Sequence, residues 1–135
     1  MNSINRFPEF EEIINEMMFV YKHDNRPWLI GYSGGKDSSL LVTLVVETVL
    51  RLPERERTKK IFIVTSDTGV ENPVVKRYMH TSSEKINIFS SKVKANIHAD
   101  IIYPEVSQSF WSLIIGLGYP TPEPPGFRWC TERLK

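Results

Sequence analysis

The stretch that decides the fold is residues 28–50, WLIGYSGGKDSSLLVTLVVETVL. Its first five residues form a short apolar run after Pro27, which predicts a buried strand. Residues 33–38 form a glycine-rich turn, and residues 38–50 are apolar on almost every helical face. Such a helix packs between a sheet and a further layer. The stretch therefore predicts a strand, a tight loop and a buried helix in succession.

Strands and helices also alternate on both sides of this stretch. Apolar residues at a spacing of three or four predict helices over residues 8–22, about 73–96 and 109–115. Short apolar runs predict strands over residues 61–65 and 99–103. Asn72 and Pro73 are suited to cap and begin the long helix. The order β-α-β-α-β predicts an α/β fold, with a parallel sheet, right-handed crossovers and helices on both faces.

Length and composition are those of one ordinary domain. The chain has 135 residues, of which 41% are hydrophobic and 24% charged, and these values disfavour the disordered and membrane classes. We expect a single domain with a lead-in at residues 1–26, an α/β core at 27–117 and a proline-rich segment at 118–135. The abrupt ending predicts that the chain is a truncated N-terminal part of a longer protein.

Charge and cysteine content indicate what kind of ligand site and which cellular compartment to expect. Seventeen basic and sixteen acidic residues leave a formal charge of +1, so any anion site must be local. No run reaches the roughly 18 apolar residues of a membrane span, and no signal-peptide pattern opens the chain. We expect a cytoplasmic protein without a membrane partner. The single cysteine, Cys130, permits no internal disulfide and fits a reducing compartment.

The chemistry is predicted at the loop between the first strand and its helix. Free backbone N–H groups and the positive end of the helix dipole meet there, so anions bind. The glycines let the backbone approach a pyrophosphate closely, Lys36 adds positive charge, and Asp37 is placed to cap the helix or to position Mg²⁺. The spacing is neither the Walker pattern nor the G-x-G-x-x-G fingerprint. The candidate nucleotide-binding residues of this loop are Ser33, Gly34, Gly35, Lys36, Asp37 and Ser38.

Three motifs carry a family resemblance. Residues 33–38 resemble the S-G-G-x-D-S loop of the PP-loop ATP pyrophosphatases, the superfamily that includes the phosphoadenylylsulfate reductases. Asp67-Thr68-Gly69 resembles the D-T-G motif of the reductase branch, and Arg128-Trp129-Cys130-Thr131 resembles its R-W-C motif. The resemblance implies an adenine nucleotide alpha hydrolase-like (HUP-type), Rossmann-like three-layer sandwich that holds ATP.

Within that branch, the segments at residues 65–73, 109–113 and 124–131 are most similar to the DNA phosphorothioation sulfurtransferases. Residues 70–73, Val-Glu-Asn-Pro, depart from the F-P-E-T-like segment that follows D-T-G in phosphoadenylylsulfate reductases. The resemblance implies an ATP-dependent sulfurtransferase that adenylates an oxygen and releases pyrophosphate before sulfur insertion. Two alternatives remain: a phosphoadenylylsulfate or adenylylsulfate reductase, and a nucleotide-binding module without catalysis.

The resemblance also implies roles for individual residues. Lys36, Asp37 and Arg128 would be catalytic, and Cys130 would be an iron ligand. The implied cofactors are ATP and Mg²⁺, with a [4Fe-4S] cluster only in the full-length parent, because such a cluster needs about four cysteine ligands. The implied partners are DNA, a cysteine desulfurase or other sulfur donor, and sister modification proteins. The further candidate nucleotide-binding residues are Ser66, Asp67, Thr68 and Gly69.

Several features have simpler interpretations. Asp67-Thr68-Gly69 is also a common turn in which the Asp side chain caps the following backbone. The three tryptophans are expected to be packing residues, and the three histidines lack metal-ligand spacing. The charged connector is expected to be a solvated segment rather than a nucleic-acid patch, because acidic residues interrupt its basic residues. Those basic residues are Arg51, Arg55, Arg57, Lys59 and Lys60.

Overall fold

Three parallel strands form one sheet within residues 8–122 and residue 129, which are the residues that the computed structural model describes. Trp28 pairs with Ile61, and Ile61 pairs with Ile97. Because the strands are parallel, their carboxyl ends meet at one edge of the sheet. The predicted α/β class with a parallel sheet is confirmed. In spatial order the strands are β1 (Trp28–Gly31), β2 (Ile61–Ser66) and β3 (Ile97–Ile102).

Three α-helices accompany the sheet in the described part of the chain. The short helix predicted at residues 109–115 is found from Phe110 to Leu117, and its central part is a π-helical turn, Ser112–Gly116. Ser112 shapes this segment by donating its hydroxyl to the Val106 carbonyl at 2.6 Å, a local bond that competes with regular helix. The helices are α1 (Pro8–His23), α2 (Lys36–Arg51) and α3 (Pro73–Lys92), with 3₁₀ turns at Glu54–Glu56 and Val106–Gln108.

Helix α2 is the centre of the main core. Its Val45 and Val49 are almost fully buried and join Ile61 and Ile63 of β2 in one apolar cluster. Met17 of α1 packs against the same cluster, so α2 lies between the sheet and α1, as predicted. Burial of each such side chain contributes about 1.5–3 kcal/mol, which explains why the sequence of α2 is apolar around most of its circumference.

The described helices pack against one face of the sheet, contrary to the expected helices on both faces. Residues of β2 alternate between buried Ile61 and Ile63 on the helix side and half-buried Phe62 and Val64 on the other. On that other side Leu29 is 75% exposed. The strand order explains the difference, because successive strands are neighbours and crossovers of one hand then place both connecting helices on the same side.

The outer edge of β3 is closed by polar side chains of α3. Ala99 donates its N–H to Asn87 Oδ1 at 2.8 Å, and its carbonyl accepts from Asn87 and from Ser83, both at 2.9 Å. Ile97 donates its N–H to Ser90 Oγ at 3.2 Å. These bonds satisfy main-chain groups that would otherwise be buried without partners.

The outer edge of β1 is different. Trp28 and Tyr32 donate their N–H groups to β2 and its lead-in residue, so the alternate residues Leu29 and Gly31 direct their main-chain groups away from β2. Within the described residues no strand pairs with this edge. The sheet is therefore open for extension beside β1 and closed beside β3.

Helix α3 begins as predicted and ends earlier than predicted. Asn72 Oδ1 accepts from the Val74 N–H at 2.8 Å, and Pro73 occupies the first turn, which confirms the predicted cap. The helix ends at Lys92 rather than near residue 96 because Lys94 has a left-handed φ of +51°, which ends the helical path.

The charged connector is not uniformly solvated, which corrects part of the prediction. Arg57 donates to the carbonyls of Leu50, Leu52 and Val93 at 2.7–3.0 Å. It therefore caps the end of α2 and ties it to the end of α3. Lys59 also contacts backbone, since its ammonium meets the carbonyls that precede β1. Arg57 and Lys59 are structural residues.

Candidate functional site

The loop after β1 has the predicted strand-loop-helix geometry. Tyr32 donates its N–H to the Val64 carbonyl at 2.8 Å, which keeps the chain beside β2 up to the turn. Gly34 then has a φ of +75°, while Gly35 has an ordinary φ of −75° and is the N-cap of α2. A positive φ favours glycine because a Cβ would be strained there. The backbone thus requires glycine at Gly34 only.

The start of α2 presents uncapped backbone donors. The first intrahelical bond runs from the Ser39 N–H to the Gly35 carbonyl at 3.0 Å, so the N–H groups of Lys36, Asp37 and Ser38 precede the bonded ladder. Within residues 8–122 and 129, no side chain forms a cap bond at this helix end. Three donors and the positive end of the helix dipole therefore converge at one place, which suits an anion.

Lys36 and Asp37 lie exposed in the first turn of α2. Asp37 does not cap the helix, because Gly35 occupies the N-cap position and no side-chain cap bond is formed. Of its two predicted roles, capping is therefore wrong, and positioning of Mg²⁺ stays a prediction. The Lys36 ammonium is free to reach a ligand bound at the helix end.

Ser33 and Ser38 bring two hydroxyl groups together across the loop. Their Oγ atoms are 3.2 Å apart, the Ser33 N–H lies 3.3 Å from Ser38 Oγ, and the Gly35 N–H lies 3.4 Å from Ser33 Oγ. These bonds are longer than the usual 2.5–3.0 Å for O–H···O and 2.7–3.2 Å for N–H···O and are therefore weak. They would therefore oppose the binding of an anion at the loop only weakly.

The second motif is built around a buried carboxylate. Asp67 is 1% exposed, accepts the Gly69 N–H on Oδ1 at 2.8 Å and holds Lys76 Nζ 3.0 Å from Oδ2. Burial alone would raise the pKa of Asp67, but the Gly69 hydrogen bond and the Lys76 charge lower it below its ordinary value. Asp67 is thus an ionised, turn-forming residue, as in the simpler interpretation of this motif.

The residues beside Asp67 either have structural roles or line a cleft. Thr68 is buried and donates to Glu71 Oε1 at 3.2 Å. Gly69 is exposed with a φ of +80°, a conformation that favours glycine. Ser66 is half-buried and lines the cleft described next. Direct contact of Asp67 or Thr68 with a nucleotide stays a prediction.

A cleft of about 370 Å³ connects the two motifs at the carboxyl ends of the strands. Ligand sites commonly measure about 300–1,000 Å³, and open parallel sheets bind ligands at this edge. Ser33 comes from the first motif, Ser66 directly precedes the second, and most other lining residues are apolar. Those other residues are Leu29, Gly31, Tyr32, Val64, Thr65, Glu71, Val75, Met79 and Ile102.

Two larger clefts lie elsewhere. One, of about 590 Å³, is lined by charged residues near the starts of the strands, including Lys59 and Lys60. The other, of about 610 Å³, is an apolar groove between α1, α2 and the open edge of β1. Neither is lined by a residue of the loop at 33–38 or of the segment at 66–69, whereas the smaller cleft is lined by Ser33 and Ser66. The smaller cleft is therefore the better candidate despite its volume.

Tyr78 and Lys76 of α3 contact the loop and Asp67, and these contacts were not predicted. A Cβ placed on Gly34 would come within 2.7 Å of Tyr78 Cε1, so the Tyr78 ring packs directly on this glycine. Its hydroxyl lies 3.3 Å from that of Tyr32, and Lys76 pairs with Asp67. The sequence carries no local signal for these contacts, because they depend on how α3 packs beside the loop.

The third motif is described only at Trp129. This side chain is 5% exposed, donates Nε1–H to the Pro120 carbonyl at 2.8 Å and stacks on Phe110 with ring centres 5.7 Å apart. It forms a small second core with Leu113, which confirms its interpretation as a packing residue. The predicted roles of Arg128 and Cys130 lie outside the described residues.

The comparisons give no family assignment. Comparison with protein-family models, with curated proteins and with solved structures finds no match for this chain. Over residues 8–122 and 129, no three histidine, cysteine or acidic side chains are grouped to hold a metal ion. No helix in the same part of the chain is long and apolar enough to cross a membrane.

Proposed function

We propose that this chain is the nucleotide-binding domain of an ATP-dependent sulfurtransferase that acts in DNA backbone phosphorothioate modification. In this proposal an acceptor oxygen attacks the α-phosphate of ATP, and the bond to pyrophosphate breaks. A sulfur donor then displaces AMP, which leaves with the activated oxygen. The assignment to sulfur transfer and DNA depends on the three sequence motifs, and the assignment to ATP depends also on the geometry of the loop.

One observation carries the ATP assignment. The uncapped N–H groups of residues 36–38 stand beside the left-handed Gly34 at the carboxyl edge of a parallel sheet. Fixed donors of this kind stabilise charge that develops on a leaving pyrophosphate without reorganising. The apolar cleft next to them is suited to the adenosine part of the nucleotide. Phosphate and base sites therefore adjoin.

The charged residues of the loop have separate roles in the proposal. Lys36 neutralises the β- and γ-phosphates as an exposed, flexible cation. Asp37 is the carboxylate that would hold Mg²⁺, which is commonly bound by one or two carboxylates together with substrate phosphates. When bound, Mg²⁺ supplies further positive charge to the leaving group. Arg128 stays the proposed third catalytic residue.

The proposal is tested by binding and by products. Lys36→Ala should weaken Mg²⁺-ATP by about tenfold, or about 1.4 kcal/mol, because it removes the cation at the helix end. Lys60→Ala is the matched control, since Lys60 is exposed and lines the charged cleft at the other end of the sheet. Titration calorimetry compares the two variants, and equal ATP affinity in both would contradict the site.

Product analysis separates the function classes. The proposed enzyme converts ATP to AMP and pyrophosphate when its acceptor and sulfur donor are supplied. ADP and orthophosphate would contradict the reaction, and sulfite formed from phosphoadenylylsulfate would favour the reductase. ATP binding without turnover under the same conditions would favour the non-catalytic module.

A further inference from the structure

The side of the loop that faces α3 is occupied by Tyr78. Gly34 has a φ of +75°, and a Cβ added to it would lie 2.7 Å from Tyr78 Cε1 and 3.2 Å from Cδ1. The first distance is far below ordinary carbon–carbon contact and the second is tighter than most such contacts. The aromatic ring therefore rests on the Gly34 backbone and occupies the space that any other side chain at this position would need.

A second contact of Tyr78 reaches the chain immediately before the loop. The Tyr78 hydroxyl lies 3.3 Å from the Tyr32 hydroxyl, and Tyr32 is the residue between β1 and the loop. The Ser82 hydroxyl, one turn further along α3, acts to lower the pKa of both tyrosines, and the Ser39 hydroxyl of α2 acts to lower the pKa of Tyr32. Through Tyr78, α3 thus contacts both the loop, at Gly34, and the chain immediately before it, at Tyr32.

The same turn of α3 supports the second motif. Lys76 places its ammonium 3.0 Å from Asp67 Oδ2, and Asp67 shapes the turn through Gly69. Tyr78 is 50% exposed, so its ring contributes little to the apolar core. Its contact with Gly34 is therefore the main consequence of placing an aromatic ring there.

We propose that Tyr78 is a positioning residue for the phosphate site: its ring holds the Gly34 loop in the conformation that presents the first N–H groups of α2 to the ligand. The inference rests on the proposed function, because it concerns the same ATP site. A loop that adopts the binding conformation only part of the time binds with an affinity reduced by that fraction. If removal of the ring lowers the fraction to about a tenth, the apparent Kd rises about tenfold.

The test compares Tyr78→Ala with Tyr78→Phe in the full chain. Calorimetric titrations use Mg²⁺-ATP, inorganic pyrophosphate and adenosine as probes. We expect Tyr78→Ala to weaken ATP and pyrophosphate by about tenfold and to leave adenosine within about twofold, because only the phosphate loop is affected. Tyr78→Phe keeps the ring and should bind all three nearly as the unmodified chain does. The control is Phe19→Ala, which removes a different exposed ring, on α1.

A spectroscopic readout tests the contact without any ligand. The backbone amide resonance of Gly34 should shift in Tyr78→Ala, because the ring no longer lies against it, and should stay in place in Phe19→Ala. An unshifted Gly34 resonance in Tyr78→Ala would overturn the inference. So would a loss of adenosine binding equal to the loss of ATP binding, or an equal loss in Tyr78→Phe.

Failure of the proposed function would look different. If the unmodified chain binds neither ATP nor pyrophosphate, the proposed function is contradicted. If it binds both, Lys36→Ala weakens them and Tyr78→Ala does not, the proposed function stands and the inference on Tyr78 is overturned.

Discussion

At the scale of single residues, the two glycines of the loop have different tasks. Position 34 requires glycine because its φ is positive and because the Tyr78 ring lies where a side chain would be. Gly35 has an ordinary φ, and a Cβ added to it would meet only Ser33 Oγ, at 3.4 Å. Glycine at position 35 is therefore not required by the protein itself, and its absent side chain leaves the helix end open to a ligand.

This difference predicts opposite effects on stability and binding for Gly35→Ser. Serine is a good N-cap, so the free energy of unfolding should rise by a few tenths of a kcal/mol. Its hydroxyl would accept an N–H that we assign to phosphate, so ATP affinity should fall about tenfold, or about 1.4 kcal/mol. Chemical denaturation and ATP titration measure the two effects. Unchanged ATP affinity would contradict the assignment of these N–H groups.

Asp67 carries a prediction on pH. Its pKa is lowered in the folded state by the Gly69 hydrogen bond and the Lys76 charge, against the effect of burial. The carboxylate therefore stabilises the fold above the ordinary Asp pKa of about 4. This contribution is lost as the pH falls through the lower folded-state pKa.

We expect Asp67→Asn to lower the free energy of unfolding by about 1–3 kcal/mol at pH 7 and by progressively less below pH 4. Asparagine keeps an acceptor for Gly69 but removes the charge that pairs with Lys76. Urea unfolding at several pH values measures the difference, with Asp100→Asn as the control because Asp100 is exposed on β3. If Asp67→Asn lowered the free energy of unfolding equally at every pH, the role of the ionised carboxylate would be contradicted.

At the scale of elements, α3 has the widest set of tasks. Its first turns contact both motifs of the site through Tyr78 and Lys76. Its later turns close the edge of β3 through Ser83, Asn87 and Ser90. One helix thus fixes the sheet edge and the loops at the carboxyl ends of the strands, so a shift of α3 would affect fold and site together.

Asn87→Ala tests the edge-closing role. It would leave the buried Ala99 N–H without its partner, which costs about 1–3 kcal/mol, while Ser83 still donates to the Ala99 carbonyl. Glu84→Ala on the exposed side of the same helix is the control. Denaturation curves should separate the two variants, and amide exchange at Ala99 should accelerate only in Asn87→Ala. Equal stability of the variants would contradict the role of Asn87.

The elements that were predicted from the sequence are those with local signals. Asn72 and Pro73 mark the start of α3 by side-chain and backbone chemistry alone. Its end depends on the left-handed Lys94 and on bonds from Ser90 to the chain that enters β3. Such contacts are formed between elements, and a helical spacing of apolar residues does not report them.

The same distinction applies to the site. The loop of residues 33–38 was predictable because its glycines and the helix start act locally. Tyr78, Lys76 and the capping role of Arg57 were missed because each depends on the arrangement of distant segments. The faces covered by the helices depended on the order of strands in space, which is not contained in the alternation of strand and helix along the chain.

At the scale of the whole molecule, charge is balanced and the site is local. The net charge of +1 gives no overall attraction for an anionic ligand. In the proposed function, affinity for phosphate therefore comes from the start of α2 and from Lys36. The main core contains residues of α2 and of all three strands. Rigid elements therefore hold the N–H donors at the start of α2 in place.

The most direct test of the account locates bound ATP on the described fold. In a titration of the ¹⁵N-labelled chain with Mg²⁺-ATP, we expect the largest amide shifts at Lys36, Asp37 and Ser38, with smaller shifts at residues that line the adjoining cleft. The amides of Lys59 and Lys60, at the other end of the sheet, should not move. Absence of shifts at residues 36–38, or larger shifts at Lys59 and Lys60, would contradict the assignment of the ATP site.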